Sequence, residues 1–100
     1  MREDRQRLDK WLWFARFAKT RTLAAKLVGA GYVRVNGQRV DQAAKAVAVG
    51  DVLTLALART TAVVRVEALG ERRGPASEAQ ALYTDLNRDD AQLVSRDGSG

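Results

Sequence analysis

The chain of 100 residues contains neither cysteine nor histidine. That excludes disulfides, zinc ligation through thiolate or imidazole, cysteine nucleophiles and histidine acid/base chemistry, so most enzyme mechanisms lose their usual groups. Proline occurs once, as Pro75, and charge interrupts every apolar run before it reaches the length of a membrane span. Met1, Arg2, Glu3, Asp4 and Arg5 lead into no apolar signal-peptide core, so a cytoplasmic location is expected. Asp9 and Asp51 have no neighbouring histidine, second carboxylate or glycine-rich phosphate loop, and helix-start and turn roles are expected of them. The reading is of a protein that is not an enzyme, with no cofactor, no metal, no membrane and no small-molecule substrate.

What the sequence does have is positive charge, unevenly placed. The net charge is +5. Residues 1–45 hold 11 Lys/Arg against 4 Asp/Glu, a balance of +7, whereas residues 46–100 stand at −2. A polyanionic partner meeting the first half is the simplest implication. Hydrophobic residues at 46% and charged ones at 29% suit one globular domain with a modest core.

Leu8, Trp11, Leu12 and Ala15 recur at helical spacing and predict a helix over 7–17, with Asp9 near its start. Thr20 can cap a second helix carrying the stripe Leu23, Ala24, Leu27 and Val28, and Gly31 can end it in the left-handed conformation. The period then changes. Val33 and Val35 alternate with Arg34, and Asn36-Gly37 is the pair favoured in a two-residue hairpin turn. After Gly50-Asp51, strands are predicted over 52–57 and 63–68. Ser77 and Gln80 have capping-box spacing for a short helix reaching about Leu86, and the polar residues from Asn87 onward predict disorder.

Arg7, Lys10, Arg16, Lys19, Arg21 and Lys26 fall within twenty residues. A helix pair can turn several of them to solvent while leucines and alanines face inward. Free N–H groups at Thr20 and Arg21, beside Lys19, suit a phosphate. Taken alone, such a cluster fits solubilising surface charge equally well. Trp11, Trp13, Phe14, Phe17 and Tyr32 could stack bases, each contact contributing roughly 1–3 kcal/mol. Helical spacing assigns Trp11, Phe14 and Phe17 to the core and leaves Trp13, opposite Leu12, as the stacking candidate. Arg34 and Gln38 flank the Asn36-Gly37 turn as secondary contacts.

The run Arg7-Leu8-Asp9-Lys10, then Leu12, Thr20-Arg21, Ala24, Leu27, Gly31, Val33-Arg34-Val35-Asn36-Gly37, Val47 and Gly50-Asp51 resembles the RNA-binding domain named after ribosomal protein S four. The resemblance implies RNA held at the start of the second helix. It maps Arg7, Asp9, Lys10, Thr20, Arg21 and the Asn36-Gly37 turn onto the signature, with Arg16, Lys19 and Lys26 on the basic face. The expected fold is α+β: two N-terminal helices packed on a small twisted, mainly antiparallel sheet, with a short C-terminal helix and a disordered tail. The expected division is an RNA-binding domain over 1–70 with core motif 7–57, a basic link and short helix over 71–86, and the tail over 87–100.

Lys10-Trp11-Leu12-Trp13-Phe14-Ala15-Arg16, the Arg72-Arg73 link and the stretch Glu78 to Tyr83 resemble the ribosome-associated heat shock protein 15 family more narrowly. That resemblance implies a free-standing protein that binds ribosomal RNA on free large ribosomal subunits still carrying a nascent chain and transfer RNA, so that they are recycled; a monomer is expected. A general RNA chaperone or messenger regulator that binds free RNA is the alternative, and a protein-docking module is a third. Thr20 departs from the serine common at its position, and Asp41 to Ala46 lack the proline often found there. The tail is slightly acidic where the family has a basic extension.

Overall fold

The computed structural model describes residues 5–58 and 60–86, so the predicted disordered tail lies outside the described residues. A short strand, β1 (Arg5–Arg7), runs directly into helix α1 (Leu8–Phe14). The first N–H groups of α1 are already used: Leu8 N donates to the Lys45 carbonyl at 2.8 Å and Asp9 N to that of Ala43 at 3.1 Å. The predicted helix over 7–17 closes early, at Phe14, because Arg16 takes a left-handed φ of 68°. Phe17 N then donates to the Leu12 carbonyl and Arg16 N to that of Trp13, the paired bonds of a Schellman ending with arginine where glycine is usual.

Helix α2 (Arg21–Gly29) starts as predicted, with Thr20 Oγ1 accepting from Leu23 N at 3.0 Å. It has the same kind of ending. Gly31, at φ 86°, donates to the Val28 carbonyl, and Tyr32 N donates to that of Leu27. A side chain at Gly31 would also collide with the Arg39 guanidinium packed against it.

Strands β2 (Val33–Val35) and β3 (Gln38–Val40) form the predicted hairpin, with Asn36 and Gly37 both left-handed at φ 53° and 84°. Next comes β4 (Ala46–Ala48), paired antiparallel with β1 in register Gln6 to Val47. Strands β5 (Val52–Ala56) and β6 (Thr61–Val66) follow, then helix α3 (Ala76–Gln80) and strand β7 (Tyr83–Asp85). The main sheet has the order β3-β2-β5-β6-β7 and every neighbouring pair is antiparallel.

Two features at the C-terminal end differ from expectation. The capping box does not form: Pro75 precedes α3 without a side-chain cap, and Glu78 accepts from Arg72 Nη2 at 2.8 Å. The helix also ends at Gln80, and the chain pairs Tyr83 with Val66 as a fifth strand.

Both helices lie on one face of the main sheet. Leu8, Trp11, Leu12, Ala24 and Val28 are buried with Val33, Leu53, Leu55, Val64 and Val66 in one cluster. Full burial of such side chains contributes roughly 1.5–3 kcal/mol each. The Trp11 indole N–H donates to the Ala68 carbonyl at 2.9 Å, which satisfies its polar atom inside that core. Phe17 and Tyr83 flank the Trp11 ring at centroid distances of 6.2 and 6.4 Å. Side chains alternate along each strand, so Arg34, between buried Val33 and Val35, faces the other side of the sheet.

Candidate nucleic-acid interface

The carboxylate of Asp9 sits at the junction of the two helices and is buried, with 5% of its side chain exposed. Arg7 meets it at two points: Nε donates to Oδ1 at 3.1 Å and Nη2 to Oδ2 at 3.0 Å. Arg21, from the first turn of α2, places Nη2 3.9 Å from Oδ1. The two guanidinium groups, half-exposed, therefore converge on one buried anion. The hydrogen bonds it donates to Asp9, and then the charge of that carboxylate, hold the Arg7 guanidinium above its ordinary pKa. Both half-exposed guanidinium groups keep N–H groups facing solvent, where a phosphate can accept from them.

The start of α2 adds backbone donors. Leu23 N is satisfied by Thr20 Oγ1 and Ala24 N by the Thr20 carbonyl, whereas Arg21 and Thr22 have no carbonyl four residues back within the helix. Their N–H groups point outward with the positive end of the helix dipole, and exposed Lys19 and Lys26 stand on the same element or its approach. The start of α1 differs, since Lys45 and Ala43 occupy its donors.

Other expected residues have more local roles. Lys10 is half-buried, with Nζ 5.7 Å above the Phe14 ring, and Trp13 stacks on that same ring at 5.3 Å. Arg16 Nε donates to the Gly74 carbonyl at 2.9 Å and so ties the end of α1 to the 70–75 link. Asn36 is locked into the hairpin: Oδ1 accepts from Val52 N at 2.9 Å and Nδ2 donates to Asp51 Oδ1 at 3.2 Å. Asp51 has the expected turn role and also accepts from Ala48 N. Gln38 is exposed opposite Val35.

The fold thus brings together Arg7, Asp9 and Arg21, leaves Lys19 and Lys26 exposed beside and along α2, and puts Arg34 on the far face of the sheet. There Arg34 lies directly opposite Arg39, with Thr54 on its other side. Arg39, which with Arg34 and Gln38 flanks the turn, is paired with Arg34 by the two-residue turn at Asn36-Gly37. Among the described residues no group of three or more His, Cys, Asp or Glu could hold a metal ion, and no helix is long and apolar enough to cross a membrane.

The S4 domain family matches residues 6–53, the segment that carries this cluster. The chain is 49% identical to heat shock protein 15 of Escherichia coli (strain K12) over 77 residues, which are 77% of this chain and 57% of that protein. The chain thus spans less than two thirds of that relative's length. It is 43% identical over 83 residues to the heat shock protein 15 homolog of Haemophilus influenzae, covering 83% of this chain and 63% of the relative. The small ribosomal subunit protein uS4 of Xanthobacter autotrophicus is 40% identical over 72 residues, 70% of this chain and 35% of that protein. In structure the chain is similar to a trimeric heat shock protein 15 of Vibrio cholerae, with a TM-score of 0.78 and 38% identity over 92% of this chain and 96% of that one.

Proposed function

Because the chain belongs to the heat shock protein 15 family, we propose that it is a non-catalytic binder of structured RNA that works through the α1–α2 face. The observation that carries this reading is the convergence of Arg7 and Arg21 on buried Asp9 beside the uncovered first turn of α2. Two solvent-facing guanidinium groups and the open N–H groups of the first turn of α2 can each donate to RNA phosphates, and Lys19 and Lys26 extend the positive surface. The proposed target is ribosomal RNA of free large subunits that retain a nascent chain and transfer RNA, and the proposed outcome is their recycling in the cytoplasm. The basic cluster lies within one chain, so a monomer is the proposed binding unit. A trimer such as that of the Vibrio cholerae relative would carry one such face on each copy.

Sedimentation of the tagged protein with cell lysate through a sucrose gradient tests this reading. Enrichment on free large subunits, lost in a Lys19→Glu/Lys26→Glu variant that remains folded, is the expected result. Residence only in light fractions with free RNA would overturn the ribosomal assignment and favour a general RNA chaperone. Lys19 and Lys26 are preferred to Arg21 because reversing Arg21 would set a second carboxylate beside Asp9.

A further inference from the structure

Tyr32 is 53% exposed although it stands between a helix and a strand. Its backbone is fixed on both sides: Tyr32 N donates to the Leu27 carbonyl at 3.2 Å and Tyr32 O accepts from Ala56 N at 2.8 Å. Tyr32 is the residue that follows left-handed Gly31 in the Schellman ending of α2, and it lines the same surface depressions as Leu27. The ring is therefore presented on a rigid mount, and its hydroxyl has no hydrogen-bond partner among the described residues.

Two open depressions meet at this ring. One, of about 650 Å³, is lined by Phe17, Leu23, Leu27, Tyr32 and Leu57, with Lys19 and Lys26 among its other residues. A second, of about 570 Å³, shares Leu27, Tyr32 and Leu57 and adds Ala56 and Ala58. Both volumes fall in the range of small-molecule sites, roughly 300–1,000 Å³. Leu23 is a further large apolar side chain left exposed here, at 46%.

We infer that this groove receives an unstacked nucleobase of the bound RNA, laid against the Tyr32 ring, with the flanking phosphates on Lys19 and Lys26. The inference rests on the RNA-binding reading above and specifies its substrate: a helix interrupted by a bulged or looped-out nucleotide. Charge complementarity selects this occupant. An apolar floor with an exposed aromatic ring suits the face of a base, whereas two lysines that have no carboxylate partner among the described residues suit the phosphates on either side of it. The groove is also continuous in sequence with the first turn of α2, since Lys19 precedes the Thr20 cap.

The probe is an RNA hairpin carrying one bulged 2-aminopurine, compared with the same hairpin bearing an abasic nucleotide at the bulge. Wild-type protein is expected to bind the base-bearing hairpin about tenfold more tightly. Tyr32→Ala should bind the two equally, and Tyr32→Phe, which keeps the ring, should restore the preference. Equal wild-type affinity for both hairpins would overturn the base site while leaving RNA binding intact. Failure to bind either would overturn the underlying reading and the inference with it. A change in oligomeric state on Tyr32→Ala, with base preference unaltered, would assign the groove to a second copy of the chain instead.

Discussion

Arg7 and Asp9, two residues apart, grip each other through both carboxylate oxygens, at 3.1 and 3.0 Å, across the boundary between β1 and α1. The carboxylate is buried and the guanidinium half-exposed, so the pair fixes a cation at the surface by an anchor beneath it. Arg21 shares the anchor from α2.

This arrangement makes a prediction of sign. Asp9→Ala raises the net positive charge by one, so an acid that merely opposed RNA would, when removed, strengthen binding. If Asp9 positions Arg7 and Arg21, its removal weakens binding instead, by about tenfold, or roughly 1.4 kcal/mol. Titration of a labelled RNA hairpin at fixed salt distinguishes the two. The accompanying stability loss is expected to be about 1 kcal/mol, because both arginines are near half exposure and can be rehydrated.

Arg16 combines a left-handed φ of 68° with the hydrogen bond to Gly74. Arg16→Ala keeps the strain and loses the bond, at a cost of about 1 kcal/mol. Arg16→Gly also loses the bond but relieves a left-handed penalty of roughly 1–2 kcal/mol, so its stability should lie close to that of the parent. Urea midpoints that ranked glycine below alanine would contradict this account of how α1 ends.

Tyr83 lies against Trp11 and Phe17, and burial, followed by the charge of Asp85, raises its pKa above the ordinary tyrosine value. A phenol with a folded pKa above its unfolded value contributes stability that is fully present below about pH 10 and is lost as pH rises through the folded pKa. Thermal melting should therefore fall in that alkaline window, and it should fall less steeply for Tyr83→Phe. Parallel alkaline limbs for the two proteins would exclude Tyr83 as a contributor.

Much of the fold was legible because its signals are local. The Thr20 cap, the Gly31 helix end and the Asn36-Gly37 hairpin each follow from residues within a few positions of one another. What escaped depends on distant partners. Strand β1 reads Arg-Gln-Arg, with no apolar alternation, and becomes a strand only because Ala46–Ala48 pairs with it. Strand β7 was read as helix because Ser77 and Gln80 imitate a cap, whereas Glu78 is engaged by Arg72 and the sheet edge at Val66 takes up Tyr83. The spacing of the first helix carries its expected end three residues past Phe14, since nothing in it signals an arginine in the left-handed conformation. Of the site, the residue types were legible. The gathering of Arg7 and Arg21 around one buried carboxylate, and the separation of Arg34 from them by the thickness of the sheet, needed the tertiary structure.

If the basic helical face neutralises RNA phosphates, the affinity for a structured ribosomal RNA hairpin must fall steeply between 50 and 200 mM salt. With about four phosphates neutralised, the slope of log affinity against log salt should be near −3.6, about two decades over that range. Lys19→Glu/Lys26→Glu should weaken binding and flatten the slope by roughly 2. A wild-type affinity that does not change with salt would contradict the account.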